Sequence, residues 1–418
     1  MNGTPTPTAP RSFRLRRMVG RDPHEPHRAA TPLELLFDLT FVVAFGFASD
    51  QLAHLIAVGH VGEGVLGFTF AMFAVCWAWI NFTWFASAFD TDDWFYRVTT
   101  MVQMVGVIVL ALGLAPLFHS LEEGAHVDNR VVVAGYVVMR VALVAQWLRA
   151  AKQDPARRRV ALTYALWVSL AQVGWIVVAI LDLPTGLTLV FSVLLFVVEF
   201  TGPVLAERKD GGTPWHPHHI AERYGLLAII ALGEVILGTV TSVSALVERQ
   251  EWSTEAILVV VAGVGLALGI WWVYFMLPAG ALLARHRERS FVWGYAHIVI
   301  FAAITAMGAG LHVAAYVIEG ESEIGVLGVV LSVAIPVALF TVGALLIYAY
   351  LFRENDPFHV MLFVGTLVVL ALATALAAFG ASIGVCLVVL TLAPAVPVVG
   401  FETLGNRRQA DALERALR

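Results

Sequence analysis

The chain has 418 residues, 59% of them apolar and only 14% charged, with a net charge of −5 and a mean hydropathy of +0.80. A soluble domain carries about 25% charged residues, so a soluble enzyme is excluded, and nothing in the charge balance points to a nucleic acid. The apolar residues run in blocks of about 20, enough to cross about 30 Å of hydrocarbon. An all-α, polytopic integral membrane protein is predicted, with membrane lipids as its first partners.

Met1 to Ala30 carries Thr/Pro repeats and six arginines but no apolar stretch. It reads as a disordered, basic cytosolic tail and not as a cleavable signal. Windows of about 19 residues then predict twelve helical spans near 33–58, 64–88, 99–118, 131–150, 160–182, 185–206, 221–246, 255–277, 290–316, 325–352, 358–378 and 381–402. Residues 31–206 form a first six-helix half, 207–220 a cytosolic connector, 221–402 a second half and 403–418 a C-terminal tail. Cys76 and Cys386 both sit inside apolar runs, so neither a disulfide framework nor a CxxC site is available. No cofactor is expected.

Basic residues favour the cytoplasmic side of a membrane. With the tail inside, that side gathers Arg97, Arg149, Lys152, Arg157, Arg208, Lys209, Arg223, Arg285, Arg287, Arg289, Arg353, Arg407 and Arg408. The other side has Arg130 and Arg249 beside acids such as Glu122, Asp128 and Glu319. Both termini are therefore placed in the cytoplasm. Weak matches also recur between the halves: Glu34 with Glu222, Trp77 and Trp79 with Trp271 and Trp272, and Ala111-Leu112-Gly113 with Ala306-Met307-Gly308. They predict a 6+6 pseudo-repeat in parallel orientation, a known transporter plan.

An ionisable group at the bilayer centre costs roughly 2.5–3.5 kcal/mol, so each one asks for a partner or a role. Glu234 lies twelve residues beyond Glu222, about 18 Å into its span. Beside it, Gly233 is expected to allow close approach of a helix or water. Arg140 and Glu199 share a depth, which predicts an ion pair of Arg140 with Glu199 or Glu234. One arginine leaves an acid over, and Glu234, with Asp38 second, is expected to face a polar cavity between the halves as a proton relay. Glu34 and Asp38 are one turn apart; Thr31-x-x-Glu34 with Pro32 is also a capping box. Asp50 and His54 read as a solvated acid–imidazole pair. Gln103 and His297, at similar depths, are candidates for a common polar path. His216-Pro217-His218-His219 with Glu222 reads as a solvated cluster more readily than as a metal site. Asp90, Asp92, Asp93 and Arg97, with His219 and Arg223, are candidate gate residues at the cytosolic side.

Three separated stretches carry a resemblance. The first is Thr31-Pro32-Leu33-Glu34-Leu35-Leu36-Phe37-Asp38-Leu39. The second is Phe89-Asp90-Thr91-Asp92-Asp93 with Arg97. The third is His219-Ile220-Ala221-Glu222-Arg223-Tyr224-Gly225-Leu226, running on to Leu232-Gly233-Glu234. From about Thr31 the chain resembles the bacterial low-temperature-requirement A (LtrA) family of polytopic membrane proteins, departing from it at Thr40. The resemblance implies a bacterial plasma membrane location and leaves the substrate open. The expected function is a transporter or channel for a small solute or ion, proton-coupled through Glu234 and Asp38. The rival readings are a membrane-embedded, metal-dependent lipid-modifying enzyme using Asp90, Asp92 and Asp93, and a non-transporting sensor or scaffold linked to cold growth. The oligomeric state is open.

Overall fold

A computed structural model describes residues 14–26, 28–354 and 356–417, apart from the side chain of Gln250. Among the described residues the chain is all-helical, without strands, and twelve helical segments are long and apolar enough to cross a membrane. It is a multi-pass membrane protein.

Local chemistry starts several of the spans. The Thr31 hydroxyl accepts the Glu34 N–H at 3.3 Å and Glu34 Oε2 accepts the Thr31 N–H at 2.8 Å, with Pro32 opening α1 (Pro32–Ala57). α2 (Val61–Phe89) follows a turn through Gly59. Asp93 caps α3 (Trp94–Leu112), which breaks from α4 (Leu114–Glu123) at Gly113. A Cβ on Gly113 would lie 2.5 Å from the Val132 nitrogen, so glycine lets the start of α5 (Arg130–Gln153) pass. α6 (Arg158–Leu181) and α7 (Thr185–Ala206) complete six spans. His216 caps α8 (Pro217–Gln250), one turn earlier than the hydropathy predicts. α9 (Thr254–Phe275) and α10 (Ala279–Arg285) are split around Pro278. α11 (Ser290–Glu319), α12 (Val326–Phe352), α13 (Pro357–Ala378) and α14 (Ile383–Gly400) follow. Where the sequence predicts only a tail, a π turn over Phe401–Gly405 leads into α15 (Asn406–Leu417). α15 is docked: Gln409 donates to Met276 O at 2.8 Å and Arg415 pairs with Glu354 at 2.8 Å.

In the first six spans α1 packs on α2 and α3, α3 on α5, α5 on α6 and α6 on α7. In the second six, α8 packs on α9 and α11, α11 on α12, α12 on α13 and α13 on α14. The two sets meet where α1 and α2 face α8 and α11. The spans containing α2 and α11 are the most enclosed, whereas α7 and α13 turn Val193, Val197, Val364 and Val368 outward. Lipid tails are as apolar as these side chains, so the outward faces need no polar cover.

Beside the junction, within the second six spans, close packing depends on glycine. A Cβ on Gly308 would lie 2.6 Å from the Glu234 carbonyl, and one on Gly238 would lie 2.5 Å from Gly308 O. α8 and α11 thus touch backbone to backbone. The close approach expected at Gly233 is corrected: nothing lies within 4 Å of its Cβ position, because that side of α8 faces away from α11.

The expected disordered tail lies outside the described residues over 1–13 and at His27. Over Arg14 to Pro26 it is corrected. The Met18 N–H donates to Gln153 Oε1 at 2.6 Å, Gly20 N–H to Asp154 Oδ2 at 2.8 Å and Arg21 N–H to Ala88 O at 2.9 Å. This strap lies across the ends of α2 and α5 because acceptors there satisfy backbone groups that an extended segment leaves open.

Candidate functional site

At the arginine-rich face, α1 and α8 present matching one-turn strides. Glu34 and Asp38 lie on α1, His219 and Arg223 on α8, and all four side chains are buried. Arg223 Nη1 meets Glu34 Oε1 at 2.9 Å; Nη2 and Nε meet the two Asp38 oxygens at 2.5 and 3.1 Å. His219 Nε2 is 3.2 Å from Glu34 Oε1. From α2, the Trp79 N–H donates to Asp38 Oδ1 at 2.6 Å, and Thr83 Oγ1 accepts from Arg223 at 3.3 Å. Arg28, treated in the sequence only as a tail charge, is buried 3.9 Å from Glu34 and 3.7 Å from Asp90. Glu34 therefore caps its helix and joins an ion network between the two sets of spans. Asp38, expected as a relay, is a fully engaged acceptor.

The neighbouring acids turn to different cations. Asp90 meets Arg28, Asp92 accepts from Arg97 at 2.8 Å, and Asp93 pairs with Arg149. Burial and the Glu34 charge push the Asp90 carboxyl up to about 6, against the pull of Arg28 and Arg21. Against burial, Arg149 and the backbone N–H groups of Arg16 and Tyr96 hold the Asp93 carboxyl down at about 2.

Eight residues beyond Asp38, Gly46 leaves room on α1 for the carboxylate of Glu234, whose Oε1 lies 3.5 Å from where a Cβ on Gly46 would be. Glu234 is 1% exposed and its Oε1 has no hydrogen-bond partner among the described residues. On the adjoining turns, Ser49 Oγ of α1 stands beside the Glu234 carboxylate, and Thr305 Oγ1 of α11 is buried without a partner among the described residues. One turn past Gly46 and Gly308, Asp50 and His312 face each other at 3.5 Å. The predicted Asp50–His54 pair is thereby corrected: Asp50 reaches across to α11, and the His54 ring lies beside Tyr316. The polar cavity expected at Glu234 is also corrected. Gly46 and Gly308 close helix onto helix there, and Glu234 is on the wall of neither of the cavities of about 520 and 540 Å³ near the arginine-rich face.

Arg140 meets Glu199 at 3.2 Å, and the Tyr136 hydroxyl lies 3.1 Å from the guanidinium. The Trp77 N–H donates to Glu199 at 2.7 Å. Gln103 and His297 do not share a path: Gln103 donates to Gln146 between α3 and α5, whereas His297 bonds to Trp293 O on its own helix. Equal depth does not imply equal rotation about the bundle. The histidine cluster also diverges. His216 caps α8, His219 joins Glu34, and His218 lines a cavity with the exposed Glu222. Glu222 thus points away from the network that its sequence match Glu34 enters.

The sequence did not indicate the site roles of Arg28, Trp79 and Gly308, and Thr83, Gly46 and His312 were not singled out in it at all. The spacing His219-x-x-x-Arg223, equal to that of Glu34-x-x-x-Asp38, was the available signal for the ion network. A protein of Rhizobium meliloti (strain 1021), described as uncharacterized, is 28% identical to this chain over 294 residues, 66% of this chain and 67% of the relative. The model of the family described as bacterial low temperature requirement A protein (LtrA) matches residues 29–394, which hold the α1–α8 network, Glu234 and the Asp50–His312 pair. With a match of that extent, the chain belongs to the bacterial low temperature requirement A (LtrA) family.

Proposed function

We propose that this protein is a proton-coupled transporter of a small solute in the bacterial plasma membrane, with the arginine-rich face and both termini in the cytoplasm. The observation that carries the reading is Glu234, a buried carboxylate midway along its span with an unpartnered oxygen. Every other buried acid of the junction has a cation; this one is free to exchange a proton. The polar groups flanking it sit at the two ends of one interface. Toward the cytoplasm, Arg223 ties Glu34 and Asp38 across the halves; toward the outside, Asp50 meets His312. On this reading the two contacts are gates, and Glu234, itself 1% exposed, is occluded while both are made. Opening one at a time gives it alternating access to protons. The neighbour pairs α1–α2, α1–α3, α3–α5, α5–α6 and α6–α7 have counterparts in α8–α9, α8–α11, α11–α12, α12–α13 and α13–α14, which supports a parallel pseudo-repeat. α14 also packs closely on α9, a contact that α7 does not match on α2. Asp90, Asp92 and Asp93 turn to separate arginines, which favours gate contacts over a shared metal and, with that, favours a non-enzymatic role.

Glu234→Gln keeps the shape and removes the titration. In reconstituted protein, infrared difference spectra between acid and alkaline buffer should show a carboxyl band that Glu234→Gln abolishes, with unchanged thermal unfolding. Proteoliposomes holding a pH dye, screened with amino acids, sugars and inorganic ions, should show solute-driven proton movement that the same substitution stops. An identical carboxyl band in the variant, or full solute-driven proton movement, would refute the assignment.

A further inference from the structure

The largely apolar cavity of about 520 Å³ lies within the second six spans and is separate from the proposed proton path. Its volume falls in the range of small-molecule sites, about 300–1,000 Å³. It is walled by α8, by the α9–α10 break and by α11 to α14, and opens near the exposed His218 and Glu222. On its wall stands His297, 3% exposed. His297 Nδ1 is 2.7 Å from the Trp293 carbonyl. A carbonyl only accepts, so Nδ1 carries the hydrogen and, in the neutral ring, Nε2 is a bare lone-pair acceptor. Nε2 has no partner among the described residues. The groups against the ring are aromatic: Trp293 at 4.5 Å, Tyr224 at 5.0 Å, Phe301 at 5.6 Å and Tyr274 at 5.8 Å between centroids. No carboxylate or cation touches it. The Tyr274 hydroxyl, on the same wall, also has no hydrogen-bond partner among the described residues.

The chamber is mostly apolar, with Thr341, Tyr348, His359, Thr366 and Gln409 as further polar residues on its wall, and its His297 acceptor, ringed by aromatic groups, suits a molecule that is mostly hydrocarbon and brings a donor. A carboxylate would set its lone pairs against that of Nε2, and a pure alkane would leave the imidazole unsatisfied. We propose that this cavity is a binding site for an uncharged, largely apolar alcohol whose hydroxyl donates to His297 Nε2, with Tyr274 as the second polar contact.

The full chain in lipid nanodiscs is exposed to diazirine-bearing versions of a straight-chain alcohol, its carboxylic acid and its alkane, and the labelled residues are read by mass spectrometry. The alcohol should label the cavity wall around Ile300 and Thr341 in preference to the other two. Ala344→Trp, which fills the chamber, should abolish that labelling. His297→Leu should weaken the alcohol by about tenfold, the worth of one hydrogen bond, and leave the alkane unchanged, while His297→Gln retains an acceptor and most of the preference. Thermal unfolding checks that each variant folds, and the two His297 variants decide the matter if Ala344→Trp does not. Equal labelling by alcohol and alkane, preference for the acid, or no effect of His297→Leu on the alcohol would overturn the proposal.

Discussion

Replacing Arg223 by methionine keeps much of the side chain's volume and removes the charge that joins the two sets of spans. Glu34 and Asp38, each 0% exposed, lose contacts at 2.9 and 2.5 Å. His219 and Arg28 remain beside Glu34, so Asp38 is the acid left without a cation. Removing one partner of a buried ion pair costs about 3–5 kcal/mol, mostly through the charge left behind. In a chain of this length that lowers the thermal midpoint by about 5 °C, since each kcal/mol counts for less as size grows. The comparison is Arg130→Met, which breaks the Arg130–Asp182 contact at 3.2 Å, where both side chains are more than half exposed. A surface pair is worth about 0–1 kcal/mol, so that variant should unfold close to the wild type. The triple change Glu34→Gln, Asp38→Asn and Arg223→Met removes all three charges together and should recover most of the loss, because no ion is then buried alone. Tryptophan fluorescence during heating in nanodiscs measures all four proteins. Arg223→Met as stable as Arg130→Met, or a triple variant no better than the single one, would refute the account of the network.

At the α8–α11 contact, Gly308→Val must push against the Glu234 backbone and should cost about 1–3 kcal/mol or more, whereas Gly233→Ala, with open space at its Cβ, should be tolerated; folded yield and thermal midpoint distinguish them. Asp90, whose carboxyl is pushed up to about 6 from an ordinary 3.8, binds its proton more tightly folded than unfolded. Stability should therefore fall as pH rises from about 4 to about 6 and level off above, by up to about 3 kcal/mol. Asp90→Asn should lack that slope in midpoints measured across the window, and an unchanged slope would assign it to another group.

The spans were legible because hydrocarbon leaves the backbone few choices: each crossing must satisfy its own hydrogen bonds, so length and apolarity suffice to find it. The caps were legible too, since Thr31, Pro32 and Glu34 act on one another within a single turn. What hydropathy missed were features set by polar or small residues within apolar runs. The Gly113 break lies inside a stretch that reads as one continuous span, and α10, beyond Pro278, falls past the predicted end of its span. His219 and Arg223 fell outside the predicted seventh span or at its edge, although Pro217 starts that helix a turn earlier.

The same difference explains which site contacts could be read. Position along a helix follows from the numbering at about 1.5 Å per residue, and depth was enough to bring Arg140 and Glu199 together. Rotation about the helix axis decides the partner, and a single sequence states it only through repeated spacing. Glu34 and Asp38 recur on one face, as do His219 and Arg223, so two acids on one helix could have been set against two bases on another. Gln103 and His297 had depth in common but no such spacing, and they lie apart in different helix pairs. Asp50 and His54 had the spacing, yet they occupy one helix, and a partner on α11 at the same depth supplied the better contact. Glu234 had depth without a partner of either kind. Its surroundings come from Gly46 and Gly308, residues whose contribution is a missing side chain, and that absence acquires meaning only when the opposing helix is in place.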